Sequence, residues 1–229
     1  MPSSHRAGGS QRIPRPPAWM LGNAAPWAVP TPLTAGAVSA VVADAGPLLA
    51  QTPPTFPDSR PSAVLIALVD GDRGAEVLLT KRSPDLRHHA GEISFPGGRI
   101  DPGESTVDAA LREANEEVGL HPVDATVAGR LSPLSTVVSR SYIMPIVATL
   151  QYRPMLVPHE AEVARILWVP LAELAELDTY REERWGTPPL DRRMHFFELD
   201  DETIWGATAH ILRELLDVVY GPPATRTAL

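Results

Sequence analysis

Three glutamates in one short segment could bind a divalent cation. Glu113, Glu116 and Glu117 follow Arg112, and at about 100° per residue they share one face of a predicted helix over 105–118. Carboxylates grouped in this way repel one another, so the face is unfavourable for stability alone. Because Mg²⁺ and Mn²⁺ prefer oxygen ligands and keep waters that are shared with phosphates, the spacing indicates a metal site for phosphate chemistry. Arg112 is placed to hold one glutamate by a charge-assisted hydrogen bond.

The acidic segment also has an ordinary explanation. A sequence of the form R-E-x-x-E-E, standing alone, is more often a solvated helix face than a metal site. Here it lies inside a longer pattern, Gly98-x5-Glu104-x7-Arg112-Glu113-Ala114-x-Glu116-Glu117-x-Gly119-Leu120. That pattern resembles the complete signature of the Nudix hydrolases, and a chance match is rare in a chain of this length. The longer pattern therefore favours the metal site.

The resemblance implies both a fold and a chemistry. Nudix hydrolases are α/β/α sandwiches around a mixed sheet, and they use Mg²⁺ or Mn²⁺ to hydrolyse diphosphates that are linked to another group. The resemblance places the metal ligands at Gly98, Glu113, Glu116 and Glu117. It gives Arg112 the role of orienting the carboxylates, and it gives Glu104 the role of supporting the loop or binding the metal indirectly.

Two parts of the chain offer candidates for the general base, the residue that accepts a proton from the attacking water. It is either Glu113 or an acid downstream of the helix, with Glu162 the first candidate there and Glu160 the second. Nudix subfamilies differ in this respect. A well-placed general base contributes about 10²- to 10⁴-fold to a rate.

Residues upstream of the glycines indicate the substrate. The coenzyme A pyrophosphatase branch of the Nudix hydrolases has an extra motif, and this chain resembles it in three pieces. They are Leu78-Leu79-Thr80-Lys81-Arg82-Ser83, then Leu86-Arg87-x3-Gly91, then Ile93-x-Phe95-Pro96-Gly97-Gly98. Three further segments also resemble that branch: Glu162-Val163, Trp168-Val169-Pro170-Leu171 and the run from Ile204 to Leu212. This resemblance covers about residues 61–220. It implies hydrolysis of coenzyme A, or acyl-coenzyme A, to 3′,5′-ADP and 4′-phosphopantetheine or its acyl derivative.

Three basic residues of this stretch could bind such a polyanion. Coenzyme A carries a diphosphate and a 3′-phosphate, and Lys81, Arg82 and Arg87 come shortly before the glycines. The guanidinium group suits phosphate oxygens because it donates two parallel hydrogen bonds. Without the resemblance, surface pairing of the arginines with Asp85 and neighbouring acids is the simpler interpretation. With the resemblance, substrate contact is favoured.

Two other functions stay open at this point. The chain could hydrolyse another nucleoside diphosphate derivative, such as ADP-ribose, NADH or a capped RNA end. It could also be a ligand sensor that keeps the fold without catalysis. A sensor is disfavoured because it would be free to lose any of Arg112, Glu113, Glu116 and Glu117, and all four are present.

Alternating strand and helix signals position these residues. Strands are predicted at 62–70 and 76–82, joined as a hairpin, and at 93–95, 125–131, 141–152, 163–169 and 194–199. The helix over 105–118 has Ser105 as its N-cap and Gly119 as its stop, and a closing helix is predicted over 206–220. Mixed strands between helices indicate an α/β/α sandwich.

Composition limits the class of protein. The 229 residues include no cysteine, which excludes disulfides, zinc–cysteine sites and a cysteine nucleophile. The net charge of −8 disfavours a nucleic-acid coat, and the longest apolar run, 62–69, is too short to span a membrane. We therefore expect a cytoplasmic enzyme with a small-molecule substrate and no nucleic-acid or membrane partner. Relatives of this branch are often homodimers, so a homodimer is one expected assembly.

Proline divides the chain into regions. Twelve of the 25 prolines lie at or before Pro61. Residues 1–60 are therefore expected to form a largely flexible extension, with a short helix allowed within 33–50. Residues 61–220 are expected to be the catalytic domain, and residues 221–229 a C-terminal tail.

Overall fold

The structure is a computed structural model that describes residues 6–27, 31–46, 49 and 52–221. The described part contains two β-sheets, four α-helices and a 3₁₀ helix at Pro122–Asp124. The larger sheet has eight strands: β2 (Arg60–Gly71), β3 (Gly74–Arg82), β4 (Ile93–Ser94), β5 (Gly97–Arg99), β6 (Ala125–Arg130), β7 (Leu134–Ser135), β8 (Ser141–Leu150) and β9 (Val163–Pro170). The smaller sheet has four: β1 (Trp19–Leu21), β10 (Tyr180–Trp185), β11 (Arg192–Glu198) and β12 (Thr203–Ile204). The helices are α1 (Ala35–Ala45), α2 (Thr106–Val118), α3 (Leu171–Leu174) and α4 (Gly206–Tyr220).

The larger sheet is mixed, as predicted. Strand β2 runs parallel to β8 and antiparallel to β3 and β5, and β3 pairs antiparallel with β9. The register places Gly98 of β5 opposite Ala63 of β2. The glycines are thereby fixed at the edge of the sheet where α2 begins.

Helices cover both faces of this sheet. Side chains alternate along β2, so that Ala63 and Leu65 pack with α2, while Ile66 and Leu68 pack in the cluster that includes α1 and α4. All four side chains are fully buried. The predicted α/β/α sandwich is confirmed. Within the described ranges, we find no helical segment with the length and apolar character that a membrane span requires.

The two long predicted helices end where their sequences indicate. The Ser105 hydroxyl accepts a hydrogen bond from the Asp108 N–H over 3.1 Å at the start of α2. Gly119 ends the same helix in the left-handed conformation, with φ of 70°. Helix α4 spans the predicted 206–220 and buries the expected apolar face, which consists of Ile211, Leu212, Leu215, Leu216 and Val219.

The described N-terminal residues lie against the rest of the fold. Strand β1 pairs antiparallel with β10. Trp27 is buried, and its indole N–H donates to the Ala175 carbonyl over 2.9 Å. Arg6 pairs with Glu173 over 2.5 Å. The expectation of a largely flexible extension did not anticipate these contacts, because their partners lie more than 140 positions away along the chain. Helix α1 falls within the segment where a short helix was allowed, and the division of the chain into domains stays a prediction.

Candidate active site

Helix α2 places Arg112 at the centre of a set of carboxylates. Its Nε donates to Glu104 Oε1 over 2.9 Å, and its Nη1 donates to Glu113 Oε1 over 3.0 Å and to Glu116 Oε2 over 3.1 Å. Its Nη2 donates to the Arg99 carbonyl oxygen over 2.9 Å. The guanidinium group therefore joins the acidic face of α2 to the loop that precedes it.

Glu113 lies directly against the backbone of Gly98. A Cβ atom at position 98 would overlap the Glu113 carboxylate. Burial raises the pKa of Glu113, and its hydrogen bond with Arg112 opposes that shift. A side chain at position 98 would therefore displace the Glu113 carboxylate from this position.

Glu117 is the most buried of the three glutamates. Glu117 is only 4% exposed, and its Oε2 has no hydrogen-bond partner among the described residues. Arg82 Nη1 lies 4.0 Å from Glu117 Oε1. Desolvation raises the pKa of Glu117 to about 8, with the Arg82 charge acting in the opposite direction. The buried group is therefore mostly protonated below about pH 8, and its ionised form needs a compensating positive charge.

These carboxylates fit a hard divalent cation as donors. Oxygen-only ligands of this kind are those that Mg²⁺ and Mn²⁺ prefer. Within the described ranges, no three acidic or imidazole groups already converge to hold an ion, since Arg112 binds both Glu113 and Glu116. The Glu116 side chain is 59% exposed and can turn away from Arg112. Cation binding at the predicted ligands therefore requires side-chain rearrangement.

The loop between β8 and β9 packs on the C-terminal end of α2. The His159 N–H donates to the Glu117 carbonyl oxygen over 2.8 Å and fixes this loop on the end of α2. Glu162 then lies close enough to raise the pKa of both Glu113 and Glu117. Its side chain is 47% exposed, and Glu160 is exposed as well. The structure therefore brings Glu162 together with the glutamates of α2.

Strand β3 separates the basic residues that were expected to form one cluster. Arg82 faces Glu117, whereas the Lys81 Nζ lies 2.7 Å from Oε1 of the buried Glu202. Arg87 is exposed in the loop after β3. Adjacent residues of a strand point to opposite faces, and here Lys81 and Arg82 contact different partners. The role of Lys81 in substrate binding stays a prediction.

Sequence reasoning missed two residues that shape this region. His159 acts through its backbone N–H, for which the sequence carries no signal. Glu202 follows two aspartates in a turn, a context typical of solvated acids, yet it is only 1% exposed. The alternation of Lys81 and Arg82 on a predicted strand was the available signal that one of them had a partner elsewhere.

Several known proteins are similar to this chain. The NUDIX domain family model matches residues 59–190. The chain is 38% identical, over 71% of its length and 86% of the relative, to the uncharacterized Nudix hydrolase NudL of Photorhabdus laumondii. It is 35% identical to NudL of Pectobacterium atrosepticum over 72% of this chain and 87% of that protein. The crystal structure of the Nudix hydrolase RenU from M. smegmatis superposes with a TM-score of 0.45 and 27% identity, over 52% of this chain and 75% of that one.

The family match covers more than half of the chain. It includes α2 and the glycine loop, defined here as residues 97–104. The relatives named above align over most of their own length. With the matched domain and the carboxylate face of α2 in place, this chain belongs to the Nudix hydrolase family and is an enzyme that hydrolyses nucleoside diphosphate derivatives.

Proposed function

We propose that the protein hydrolyses the diphosphate bond of coenzyme A or acyl-coenzyme A, releasing 3′,5′-ADP and 4′-phosphopantetheine or its acyl derivative. The observation that carries the proposal is the position of Arg82. This residue belongs to the upstream motif that resembles the coenzyme A branch, and its Nη1 lies 4.0 Å from Glu117 Oε1 on α2. The substrate motif and the acidic helix therefore meet at one place.

Glu113, Glu116 and Glu117, with the Gly98 carbonyl, would hold Mg²⁺ or Mn²⁺. When bound, such a cation neutralises charge on the phosphates and lowers the pKa of a coordinated water. Glu113 and Glu117 are the better fixed of these ligands, because their side chains are 17% and 4% exposed, against 59% for Glu116. Arg112 keeps the carboxylates on the side of α2 that faces the glycine loop.

The remaining residues would bind and activate the reactants. Arg82 and Arg87 would donate hydrogen bonds to the diphosphate and the 3′-phosphate. Glu162 is our first candidate for the base that accepts the water proton, since it is solvent-accessible and lies near Glu113 and Glu117. Lys81 is left out of the site because it pairs with Glu202.

A comparison of coenzyme A with 3′-dephospho-coenzyme A tests the substrate assignment. We expect coenzyme A to have the higher kcat/KM. Changing Arg82→Ala or Arg87→Ala should lower kcat/KM by about 10- to 150-fold, the effect of losing a charge-assisted hydrogen bond to phosphate. The loss should be smaller for the dephospho substrate if the removed arginine binds the 3′-phosphate, and equal for both if it binds only the diphosphate.

The matched control is Arg73→Ala, which removes an arginine at the β2–β3 turn that pairs with Glu173 and Glu176. Its kcat/KM should equal that of the wild type. Equal kcat/KM for the two substrates in the wild-type enzyme would show that the enzyme does not recognise the 3′-phosphate. Wild-type kcat/KM in both Arg82→Ala and Arg87→Ala would show that neither arginine binds the substrate.

A further inference from the structure

The N-terminal strap, defined here as residues 6–27, fits closely on the hairpin of β11 and β12. The Gly8 N–H donates to the Leu199 carbonyl oxygen over 3.0 Å. A Cβ at Gly9 would lie 2.7 Å from the Cα of Glu202, so a larger residue would push the strap away. This packing directs the next residues of the strap towards the end of β3.

Gln11 uses both ends of its side-chain amide. Its Oε1 accepts from the Thr203 N–H over 3.0 Å, and its Nε2 donates to Glu202 Oε2. The same nitrogen lies 3.4 Å from the Gly91 carbonyl oxygen, a long hydrogen bond. Gly91 belongs to the substrate loop, defined here as residues 83–92. Gln11 is therefore a side-chain bridge between the β11–β12 hairpin and the substrate loop.

Glu202 extends this bridge to the strands beside the site. Its Oε1 accepts from Lys81 Nζ over 2.7 Å and from Arg165 Nη2 over 2.9 Å. Lys81 and Arg165 are register partners on β3 and β9. A buried carboxylate bonded by two cations and an amide holds all of these groups in one arrangement.

Arg82 is attached to the same loop by two backbone hydrogen bonds. The Gly91 N–H donates to the Arg82 carbonyl oxygen over 3.2 Å, and the Arg82 N–H donates to the Glu92 carbonyl oxygen over 2.9 Å. Lys81 directly precedes Arg82 in the chain. A shift of Gly91 or of Lys81 would therefore move the guanidinium group that faces Glu117.

We propose that Gln11 is a positioning residue, which holds the substrate loop through Glu202 and Gly91 so that Arg82 is oriented for phosphate binding. The N-terminal strap thus contributes to substrate affinity without contacting substrate. This inference rests on the proposed role of Arg82 in substrate binding. Its structural part, the restraint of the loop, can be measured without any substrate.

Two variants remove the restraint in different ways. Gln11→Glu is nearly isosteric and keeps the acceptor for Thr203, but it loses the donor and adds a charge beside Glu202. Gln11→Ala removes the whole amide. The control is Arg12→Ala, which changes an exposed residue of the strap next to Gln11. All variants are full-length and should unfold within about 2 °C of one another if the changes are local.

Trypsin cleavage after the exposed Arg87 reports loop opening in the metal-free protein. Cleavage after Arg87 should be about 3- to 10-fold faster in both Gln11 variants and unchanged in Arg12→Ala. The KM for coenzyme A should rise by a similar factor in the Gln11 variants while kcat stays within about twofold. A change of kcat alone, or unchanged cleavage and KM in both Gln11 variants, would overturn the inference. Faster cleavage in an enzyme that does not hydrolyse coenzyme A would support the restraint and would reject only the proposed substrate.

Discussion

At the scale of single residues, Glu117 combines burial, an unpaired oxygen and a pKa raised to about 8. The ionised form of such a group is unfavourable in the absence of a compensating cation. We predict that Glu117→Gln loses activity by orders of magnitude, since a neutral amide is a weaker ligand for Mg²⁺ or Mn²⁺. With excess chelator above about pH 8, its melting temperature should not fall below that of the wild type, because the amide costs less to bury than the ionised carboxylate.

Steady-state rates and thermal unfolding in chelator measure these two effects separately. Asp72→Asn provides a control at an exposed acid of the β2–β3 turn, away from the site. A Glu117→Gln enzyme that is as active as the wild type would show that this carboxylate does not bind the metal. A strongly destabilised metal-free variant would show that Glu117 has a structural role instead.

Gly98 makes a second residue-scale prediction possible. A Cβ there would overlap the Glu113 carboxylate, so Gly98→Ala should displace Glu113 and lower kcat by at least about 10²-fold. The metal affinity should fall as well, measured by titrating activity with Mg²⁺. Gly36→Ala in α1 is the control, since its added methyl would meet only Thr34 Oγ1 at 4.0 Å. Equal kcat in Gly98→Ala and the wild type would argue against Glu113 as a ligand or base.

The residue types of the acidic site could be predicted from the sequence, whereas the surroundings of the basic residues could not. The acidic face follows from helical spacing, which is a local property. Whether Lys81 or Arg82 faces that helix depends on which side of β3 is covered by α2. That choice is made by the tertiary packing, and Glu202, the partner of Lys81, is 121 positions away.

At the scale of elements, helices with caps and strong periodicity were the most predictable. Helix α2 and helix α4 match their predicted ranges because Ser105, Gly119 and the apolar positions are local signals. Strand β10 was missed because Tyr180–Trp185 is mostly charged. Its Glu183 is fully buried, where it pairs with Arg15 and Arg181. A strand stabilised by distant ion pairs has no apolar alternation to reveal it.

The packing of α4 on the smaller sheet predicts a pH dependence of stability. Burial, together with the charges of His210, Arg213 and Arg193, lowers the pKa of His195 to about 3. Its Nδ1 is 2.8 Å from the Tyr180 hydroxyl. Below about pH 6.5 the unfolded chain binds a proton at this histidine and the folded chain does not, so stability should fall as the pH drops from about 6.5 towards 3.

His195→Gln should therefore make this loss of stability shallower, by at most about 1.4 kcal/mol per pH unit. Urea denaturation at several pH values between 4 and 7 measures the slope. His88→Gln, in the exposed substrate loop, should keep the wild-type slope. Identical slopes for His195→Gln and the wild type would show that His195 takes up its proton equally in both states.

At the scale of the whole molecule, the N-terminal strap is an integral part of the described fold. Removing residues 1–31 would delete Trp27, which is 3% exposed and bonded to Ala175. It would also delete Arg15, a partner of the buried Glu183. Loss of a buried tryptophan costs about 3–5 kcal/mol, so the melting temperature should fall by about 6 °C or more. An unchanged melting temperature of the truncated protein would contradict the packing described for the strap.

Our central proposal is that the enzyme hydrolyses coenzyme A, with the α2 carboxylates holding a divalent cation and Arg82 binding the substrate's phosphates. The most direct measurement is hydrolysis of coenzyme A, acyl-coenzyme A, ADP-ribose and NADH by the full-length enzyme with Mg²⁺ or Mn²⁺, with the products identified by mass spectrometry. We predict that coenzyme A or its acyl derivative has the highest kcat/KM and yields 3′,5′-ADP, and that excess chelator and Glu117→Gln abolish this product. A higher kcat/KM for ADP-ribose or NADH, or full activity in chelator, would contradict the claim.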